Sequence, residues 1–279
     1  MWQRSYDGSP TLYLIPTPIG NIEDITLRAI NVLKNVSVIF SEDTRITSLL
    51  LNTYNIKSKL VCLEEHNEDK VKEKVLNCLK DGENVAIVTD RGTPLISDPG
   101  YKTVRYVSNN GYNVVSLPGA TAFVPALTVS GLPPLPFMFY GFLNSRDNKR
   151  KKELESLKEV TCSVIFYEAP HRIIKTLKDM LEIFGNREIS ISREISKKFE
   201  SVYRGSLNDV FKDFENIKGE FVIVVDGNKR NKVEEDLDYI NLVNNKIKEG
   251  KSVMEAIKIV SKEYEISKNY LYKIYHGGK

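Results

Sequence analysis

The feature that most constrains the fold is a regular alternation between Leu12 and Ser130. Short apolar runs, rich in Val, Ile and Leu, alternate with segments of helical period such as Asp69–Lys80. The runs of strand length are Leu12–Ile15, Val36–Phe40, Leu60–Leu63, Val85–Thr89 and Val114–Leu117. Strand followed by helix through five strands predicts an α/β fold with a parallel five-stranded sheet, buried on both faces.

The chain changes character at Gly131–Pro136, where three of six residues are proline. Such a segment continues neither a helix nor a central strand, so it predicts a linker, with a long internal loop as the alternative. The segments that follow predict helices at Asn148–Glu159 and His171–Phe184 and strands at Phe137–Phe142, Ser163–Tyr167, Ile189–Arg193, Ser201–Arg204 and Phe221–Val225. Because strand follows strand around residues 189–204, we expect a mixed α+β second domain.

The last segment, residues 228–279, is predicted to be a small helical tail. Asn228–Lys232 is a polar connector, Ser252 and Glu255 have capping-box spacing, and Ser267 is a candidate cap of a final helix. Eight Lys and four Glu follow from residue 246 onward, so a basic face that contacts RNA and a merely solvated face both remain open. The predicted divisions are an extension 1–11, domains 12–130 and 137–227, a linker 131–136 and the tail 228–279.

Composition excludes several classes of protein. Cys62, Cys78 and Cys162 show neither CxxC spacing nor an even count, so no disulfide framework and no metal site are predicted. No apolar run approaches the roughly 18 residues of a membrane span, and the first residues lack the apolar core of a signal peptide. We therefore expect a cytoplasmic protein. The formal net charge of +3 is too small to predict a nucleic-acid partner by itself.

The unusual residues follow the predicted strands, at the carboxyl edge where open α/β sheets bind ligands. They are Pro16–Asn21, Ser41–Arg45, Thr89–Gly100 and Leu117–Ala122. In the third of these loops, two glycines and two prolines within nine residues predict a fixed path that presents backbone groups to a small molecule, with a pair of ordinary turns as the alternative. Neither GxGxxG nor a P-loop motif is present.

Seven motifs in this order resemble one family. They are PTPIGN (Pro16–Asn21), EDTR (Glu42–Arg45), GTPLISDPG (Gly92–Gly100), LPGATA (Leu117–Ala122), FYEAPHR (Phe166–Arg172), REISK (Arg193–Lys197) and GEFVIVVDG (Gly219–Gly227). The chain resembles the ribosomal small-subunit methyltransferase I family, the 16S rRNA (cytidine 2′-O)-methyltransferases, within the tetrapyrrole methylases. It departs from the family's usual pattern at Arg91, where a small residue is commoner, and at Ala120-Thr121, which replaces Pro-Ser.

The resemblance implies two α/β domains, a homodimer and S-adenosylmethionine as cofactor. It implies methylation of the 2′-hydroxyl of a cytidine in the decoding region of 16S rRNA. By position in the motifs, the expected cofactor contacts are Pro16, Gly92, Thr93, Pro94, Ile96, Thr121, Ala122, Tyr167, Gly219, Glu220 and Phe221. The expected catalytic residues are Glu42, Glu168, Arg193 and Glu194, and the expected substrate contacts are Asp43, Arg45, His171 and Arg172.

Other interpretations of these residues stay open. Glu168 or Glu42 is the candidate base, but Asp43 or Thr44 is equally a helix cap, and Glu168, Arg172, Arg193 and Glu194 fit a structural ion-pair network. The alternative functions are a methylase of a tetrapyrrole or other small molecule and a non-catalytic RNA-binding factor of ribosome assembly. Affinity for the cofactor distinguishes the second alternative from an enzyme.

Overall fold

The structure is a computed structural model that describes residues 2–5, 7–213, 218–229, 232–264 and 266–277. Parts of the predicted extension and of the predicted connector, Tyr6, Arg230 and Asn231 among them, lie outside the described residues. The chain divides into two compact units, Met1–Asp226 and Gly227–Lys279. The boundary predicted at residues 131–136 inside the first unit stays a prediction.

The first sheet of the larger unit is parallel and has five strands. They are β1 (Thr11–Ile15), β2 (Val38–Ser41), β3 (Lys59–Cys62), β4 (Val85–Val88) and β5 (Asn113–Ser116), in the order β3-β2-β4-β1-β5. The predicted parallel α/β sheet is confirmed. Burial on both faces holds for β2 and β4 but was wrong for β3, because β3 lies at the edge of the sheet and its residues are exposed or half-buried.

Helices cover both faces of this sheet. They are α1 (Leu27–Asn35), α2 (Thr44–Thr53), α3 (Glu68–Lys80) and α4 (Tyr101–Asn109). Leu33 and Leu51 pack with Ile39 on one face, whereas Val75 and Val107 pack with Ile87 on the other. Full burial of each such side chain contributes about 1.5–3 kcal/mol, which explains why the helical stripes align with the strands.

The second sheet is mixed, as predicted. Its order is β6-β7-β10-β8-β9, in which only β6 and β7 pair in parallel. The strands are β6 (Phe137–Phe142), β7 (Ser163–Glu168), β8 (Glu188–Arg193), β9 (Ser201–Ser206) and β10 (Phe221–Val225). The predicted segments therefore match the observed strands to within two residues at each end.

Helix α5 (Phe123–Val129) packs on one face of the second sheet. On the other face lie α6 (Asp147–Leu157), α7 (Ile173–Phe184) and the short α8 (Val210–Asp213). Between α6 and α7, the buried guanidinium of Arg150 donates through Nε to Oδ2 of Asp179 at 2.7 Å. This pair satisfies two charges that would be costly to bury singly.

The smaller unit is helical and has its own apolar core. Its helices are α9 (Lys232–Lys248), α10 (Val253–Glu263) and α11 (Lys268–Tyr275), packed around Val243, Val260 and Leu271. The predicted capping box is present, since Ser252 and Glu255 bond reciprocally. Ser267 occupies the cap position of α11, but its side chain makes no capping hydrogen bond.

Among the residues that the structure describes, no helix is long and apolar enough to cross a membrane.

Candidate active site

Hydrogen bonds join the loops at the carboxyl edge of the first sheet to one another. Thr17, after β1, exchanges two backbone hydrogen bonds of 2.9 Å with Gly92, after β4. The Thr93 hydroxyl donates to the carbonyl of Ala120, after β5, at 3.0 Å. Three motifs that are distant in sequence therefore form one rigid edge, as ligand binding at a switch point of the sheet requires.

The loop after β4 follows a strained path. Gly92 and Gly100 have φ values of 87° and 128°, and the non-glycine residues Leu95 and Ser97 have φ values of 71° and 72°. Left-handed backbone at non-glycine positions costs of order 1–3 kcal/mol and persists only where the surroundings impose it. The fixed path predicted from Gly and Pro is therefore present. Backbone strain of this kind is concentrated at functional sites in other proteins.

A cavity of about 320 Å³ opens between this loop and the second sheet. Tyr167, Phe142 and Val222 supply aromatic and apolar wall, and Gly92 and Thr93 bring backbone from the opposite side. A cavity of this size with mostly apolar walls and a few polar groups is typical of a small-molecule site.

Glu168 reaches this cavity from the end of β7, and its carboxylate is fully partnered. Its Oε1 accepts from the Ala169 amide at 2.8 Å, and its Oε2 accepts from the Thr176 hydroxyl at 2.5 Å and from Nη2 of Arg172 at 3.2 Å. The Arg172 guanidinium also donates to the carbonyl of Leu143 at 2.7 Å. These contacts join β7 to the start of α7 and occupy both oxygens of the predicted base.

A chain of charges connects the two sheets at the cavity mouth. Lys197 Nζ donates to Glu194 Oε1 at 2.8 Å and to Glu220 Oε2 at 3.0 Å, and Glu220 also pairs with Arg91. The backbone amide of Glu220 donates to Glu194 Oε1 at 3.0 Å. Hydrogen bonding to Lys197 lowers the pKa of Glu194. The open interpretation of Glu194 as part of an ion-pair network therefore fits its contacts.

A second cavity, of about 730 Å³, lies beside the first and is acidic. Its wall includes Glu42 and Asp43 after β2 and Asp90 after β4. Asp43 caps α2 and binds Arg45 with both oxygens, and these bonds lower the pKa of Asp43 to about 2. Burial and the nearby Asp90 raise the pKa of Glu42.

Asp98 lines both cavities. Burial raises the pKa of Asp98 to about 6, with smaller increases from Glu42 and Asp90 and an opposing hydrogen bond with the Thr89 side chain. Two carboxylates and a hydroxyl are thus its electrostatic neighbours. A perturbed carboxyl in a cleft is a frequent mark of a functional group.

Comparison with known proteins was made for sequence and for structure. Residues 11–210 match the family model of Tetrapyrrole (Corrin/Porphyrin) Methylases. The chain is 44% identical over 285 aligned residues to the ribosomal RNA small subunit methyltransferase I of Bacillus subtilis, covering 98% of each protein. The chain belongs to this methyltransferase I family. The predicted family, fold class and enzyme class are confirmed.

Solved structures agree in fold. A cobalt precorrin-4 methyltransferase of cobalamin biosynthesis matches with a TM-score of 0.58 at 16% identity, covering 81% of this chain and 98% of its own. A uroporphyrin-III C-methyltransferase from Thermus thermophilus, solved with S-adenosyl homocysteine, matches with a TM-score of 0.54 at 19% identity, covering 78% of this chain and 97% of its own. At these identities the likeness concerns the fold alone.

Within this methyltransferase I chain, eight of the eleven predicted cofactor contacts line the first cavity: Gly92, Thr93, Ile96, Thr121, Ala122, Tyr167, Glu220 and Phe221. Pro16, Pro94 and Gly219 do not line it. Pro16 packs against Gly119, where an added Cβ would lie 2.6 Å from the Pro16 Cβ. Pro94 is buried. At Gly219, an added Cβ would lie 2.7 Å from Glu194 Cγ, so this glycine permits a close approach instead.

The predicted catalytic and substrate residues lie in several places. Glu168 lines the first cavity, Glu42 and Asp43 line the second, and Arg45 is exposed beside Asp43. Arg193 lines neither cavity. Its Nε donates instead to the carbonyl of Lys218 at 2.7 Å. His171 is exposed and Arg172 is held by Glu168, and neither lines a cavity.

Sequence reasoning missed Asp98 and the apolar wall formed by Ile19, Phe142, Ile195 and Val222. A signal for Asp98 was available, since it lies inside GTPLISDPG, the motif with the strongest backbone constraint. Within the described ranges, no group of three or more His, Cys, Asp or Glu side chains is arranged to hold a metal ion.

Proposed function

We propose that this chain methylates RNA of the small ribosomal subunit with S-adenosylmethionine, at the 2′-oxygen of a cytidine in the decoding region. The observation that carries the proposal is the convergence of eight motif residues on one cavity. The names of the relatives supply the substrate class, and the cytidine and its 2′-oxygen come from the motif resemblance. The predicted cytoplasmic location rests on this ribosomal substrate.

The residues of the first cavity suit such a cofactor. The aromatic ring of Tyr167 and the side chains of Ile19 and Val222 offer an apolar surface for the nucleobase, and backbone at Gly92 and Thr93 offers polar groups. The carboxylate of Glu220 favours a cationic centre nearby. When bound, the cofactor supplies an electrophilic methyl group.

The chain's own contribution is positional and electrostatic. The bonds that join Thr17 to Gly92 and Thr93 to Ala120 hold the cavity edge in place before any ligand arrives. Holding two reactants in line can lower the barrier of a displacement by up to about 7–11 kcal/mol. The largely apolar wall excludes water from the reacting atoms.

RNA requires cations at the surface near the cavities. Arg45 has 88% of its side chain exposed, and its guanidinium is held in orientation by Asp43. Lys102, which lines the acidic cavity, has 56% of its side chain exposed. We propose that these two side chains contact phosphates, because phosphate contacts set the register of an RNA chain without reading its sequence.

A homodimer is part of the proposal. The edge strand β6 and the segment before it expose Leu135, Phe137, Met138 and Phe142, with Leu135 77% exposed. Contiguous apolar surface on an unpaired edge strand is a common association surface. Light scattering should give twice the chain mass, and the double variant Leu135→Lys/Met138→Lys should give the monomer mass. Phe199→Lys, which alters an exposed apolar residue outside this surface, should remain dimeric.

The experiment that tests the proposed reaction uses labelled S-adenosylmethionine and small ribosomal subunits that lack the modification. We expect one methyl group per subunit, which mass mapping assigns to the ribose of a decoding-region cytidine. Protein-free 16S rRNA is the parallel substrate. If the protein binds the cofactor but transfers no methyl to either RNA, the proposal fails and a small-molecule methylase is favoured. If it binds no cofactor, a non-catalytic assembly factor is favoured.

A further inference from the structure

A ribose hydroxyl must lose its proton as its oxygen is methylated, so the site needs an acceptor within reach. The sequence offers Glu168 and Glu42 for this task. The contacts of Glu168 argue against it, because its two oxygens already accept from Ala169, Arg172 and Thr176. These donors compete with a substrate hydroxyl for the same two oxygens.

The remaining carboxylates of the neighbourhood are committed to cations or lie away from the first cavity. Glu194 and Glu220 share Lys197, and Glu220 also pairs with Arg91. Glu42 accepts from the Thr89 hydroxyl at 3.3 Å and lines only the acidic cavity. A carboxylate paired with a cation is a weak proton acceptor, because the cation stabilises its charged form.

Asp98 differs from all of these in position. It lies with Ser97 in the wall that the two cavities share, so its carboxylate is reachable from the cofactor cavity and from the acidic one. The neighbouring Ser97 has a φ of 72°, and its hydroxyl faces the Cα side of Gly141, where an added Cβ would lie 3.4 Å from the Ser97 Oγ. Ser97 therefore lies close to β6 of the second sheet, next to the point where Asp98 is presented.

The charges around Asp98 keep it a proton acceptor. Among the residues that the structure describes, the groups that act on its pKa are Thr89, Glu42 and Asp90, and none of these is a cation. The acidic cavity around it is lined by the charged groups Glu42, Asp43, Glu64, Glu68, Asp90 and Lys102, with Glu65 beside Glu64. The charged or titratable groups on the cofactor side are Arg91, Tyr167, Glu168 and Glu220.

We infer that Asp98 is the general base, accepting the proton of the ribose 2′-hydroxyl that enters between the two cavities. The inference rests on the proposed function and deepens it. The O–H bond breaks with its proton passing to the Asp98 carboxylate, and the oxygen bonds to the methyl carbon. The methyl–sulfur bond breaks at the same time, and its electron pair stays on sulfur as a neutral thioether. The proton on Asp98 then returns to water.

The test compares Asp98→Asn with Asp98→Glu and with Asp81→Asn, an exposed carboxylate at the end of α3 that serves as the matched control. Single-turnover methylation of small subunits by Asp98→Asn should fall about 10²–10⁴-fold, the range of general-base catalysis. Asp98→Glu should recover part of this loss, and Asp81→Asn should equal the wild type. Affinity for S-adenosylmethionine, measured by calorimetry, should change by less than about threefold in all variants, because the step lost is proton transfer.

Two further measurements do not depend on turnover by the variant. Carbon-13 NMR of the ligand-free protein should show one aspartate carboxyl titrating near pH 6, and this resonance should be missing from Asp98→Asn. The wild-type rate should rise with pH to a plateau through a matching pKa, whereas the residual rate of Asp98→Asn should rise without this plateau. Thermal unfolding of each variant checks that it is folded.

The outcomes separate the two claims. If the wild type methylates subunits and folded Asp98→Asn keeps its rate within threefold, the inference is wrong and the proposed function stands. If Asp98→Asn weakens cofactor affinity about tenfold at an unchanged saturated rate, Asp98 is a cofactor contact and the inference is also wrong. If the wild type transfers no methyl to RNA, the proposed function itself fails.

Discussion

Two acidic segments approach the same cavity, and the carboxylates that they carry have opposite surroundings. At the junction of β7 and α7, Glu168 meets a guanidinium, a hydroxyl and an amide within 3.2 Å. In the loop after β4, Asp98 meets the Thr89 hydroxyl and two further carboxylates. Both residues belong to motifs, and both line the cavity.

The role of a carboxylate in a motif therefore has to be inferred from the groups that surround it. Matched donors hold a carboxylate in its charged form and make it part of the scaffold. Burial beside like charges does the reverse, because it raises the affinity of the carboxylate for a proton and so prepares it for acid–base work. Position in a motif does not distinguish the two cases, whereas the immediate partners do.

The largest effect on stability is expected at Glu168. Glu168→Gln should lower the free energy of unfolding by about 3 kcal/mol, the lower end for a buried ion pair, because it removes the charge of the fully buried Glu168 carboxylate opposite the half-buried guanidinium of Arg172. Urea denaturation at neutral pH measures this loss. The double variant Glu168→Gln/Arg172→Met should lose less than the sum of the two single variants. A loss below about 1 kcal/mol would contradict the scaffold role.

Thr176 tests the same scaffold one bond at a time. Thr176→Val removes the buried hydroxyl that donates to Glu168 Oε2 at 2.5 Å and keeps the shape of the side chain. We expect a loss of about 1.5–3 kcal/mol in urea denaturation, the typical contribution of a hydrogen bond to a charged group. Thr128→Val, at an exposed hydroxyl on α5, is the control and should change stability by less than about 0.5 kcal/mol. Equal losses of stability in Thr176→Val and Thr128→Val would show that the hydrogen bond to Glu168 contributes no more than an exposed one. The contrast between Glu168 and Asp98 would then not hold.

Substitution of Asp98 should change the free energy of unfolding in the opposite direction and raise it. Its folded pKa of about 6 lies above the ordinary value of 3.8, so the folded protein binds more protons than the unfolded chain between these values. The free energy of unfolding therefore falls as pH rises through this window. Asp98→Asn removes the penalty and should stabilise the protein at pH 8 by on the order of 1–2 kcal/mol, after allowance for screening.

The pH dependence is the check on this prediction. The difference in unfolding free energy between Asp98→Asn and wild type should be larger at pH 8, where the wild-type carboxyl is ionised in both states, than at about pH 4, where it is protonated in the folded state and only partly ionised in the unfolded chain. Asp98→Asn would thus be more stable and less active, the trade-off expected of a strained functional group. A variant less stable than wild type at both pH values would show that Asp98 is part of the scaffold, like Glu168.

The smallest effect is expected at Thr89, the counterpart of Thr176. The hydrogen bond with the Thr89 side chain lowers the pKa of Asp98, so Thr89→Val should raise this pKa further. Carbon-13 NMR of the carboxyl measures the change, and the plateau of the pH–rate profile should move to higher pH in parallel. A pKa that moves down, or does not move, would show that Thr89 is not its hydrogen-bonding partner.

Much of the fold was predictable because its signals are local. The strands from β1 to β5 were visible as apolar runs, those from β6 to β10 as strand-like segments, and the capping box at Ser252 needs only residues three apart. Eight of the residues predicted from motif positions to contact the cofactor line one cavity, since a rigid loop carries its geometry with it. The exposure of β3 was not predictable, because an edge strand and a central strand of this length have similar composition.

The sequence alone was enough to identify the elements, their alternation, the loops that carry chemistry and the family of the chain. Which carboxylates have cationic partners and which have carboxylate neighbours depends on the tertiary structure. Glu42 comes from the loop after β2, whereas Thr89 and Asp90 begin the loop that also carries Asp98, and all three act on Asp98 through space. Proton affinity depends on burial and on charges a few ångströms away, and neither is encoded in the spacing of residues along the chain.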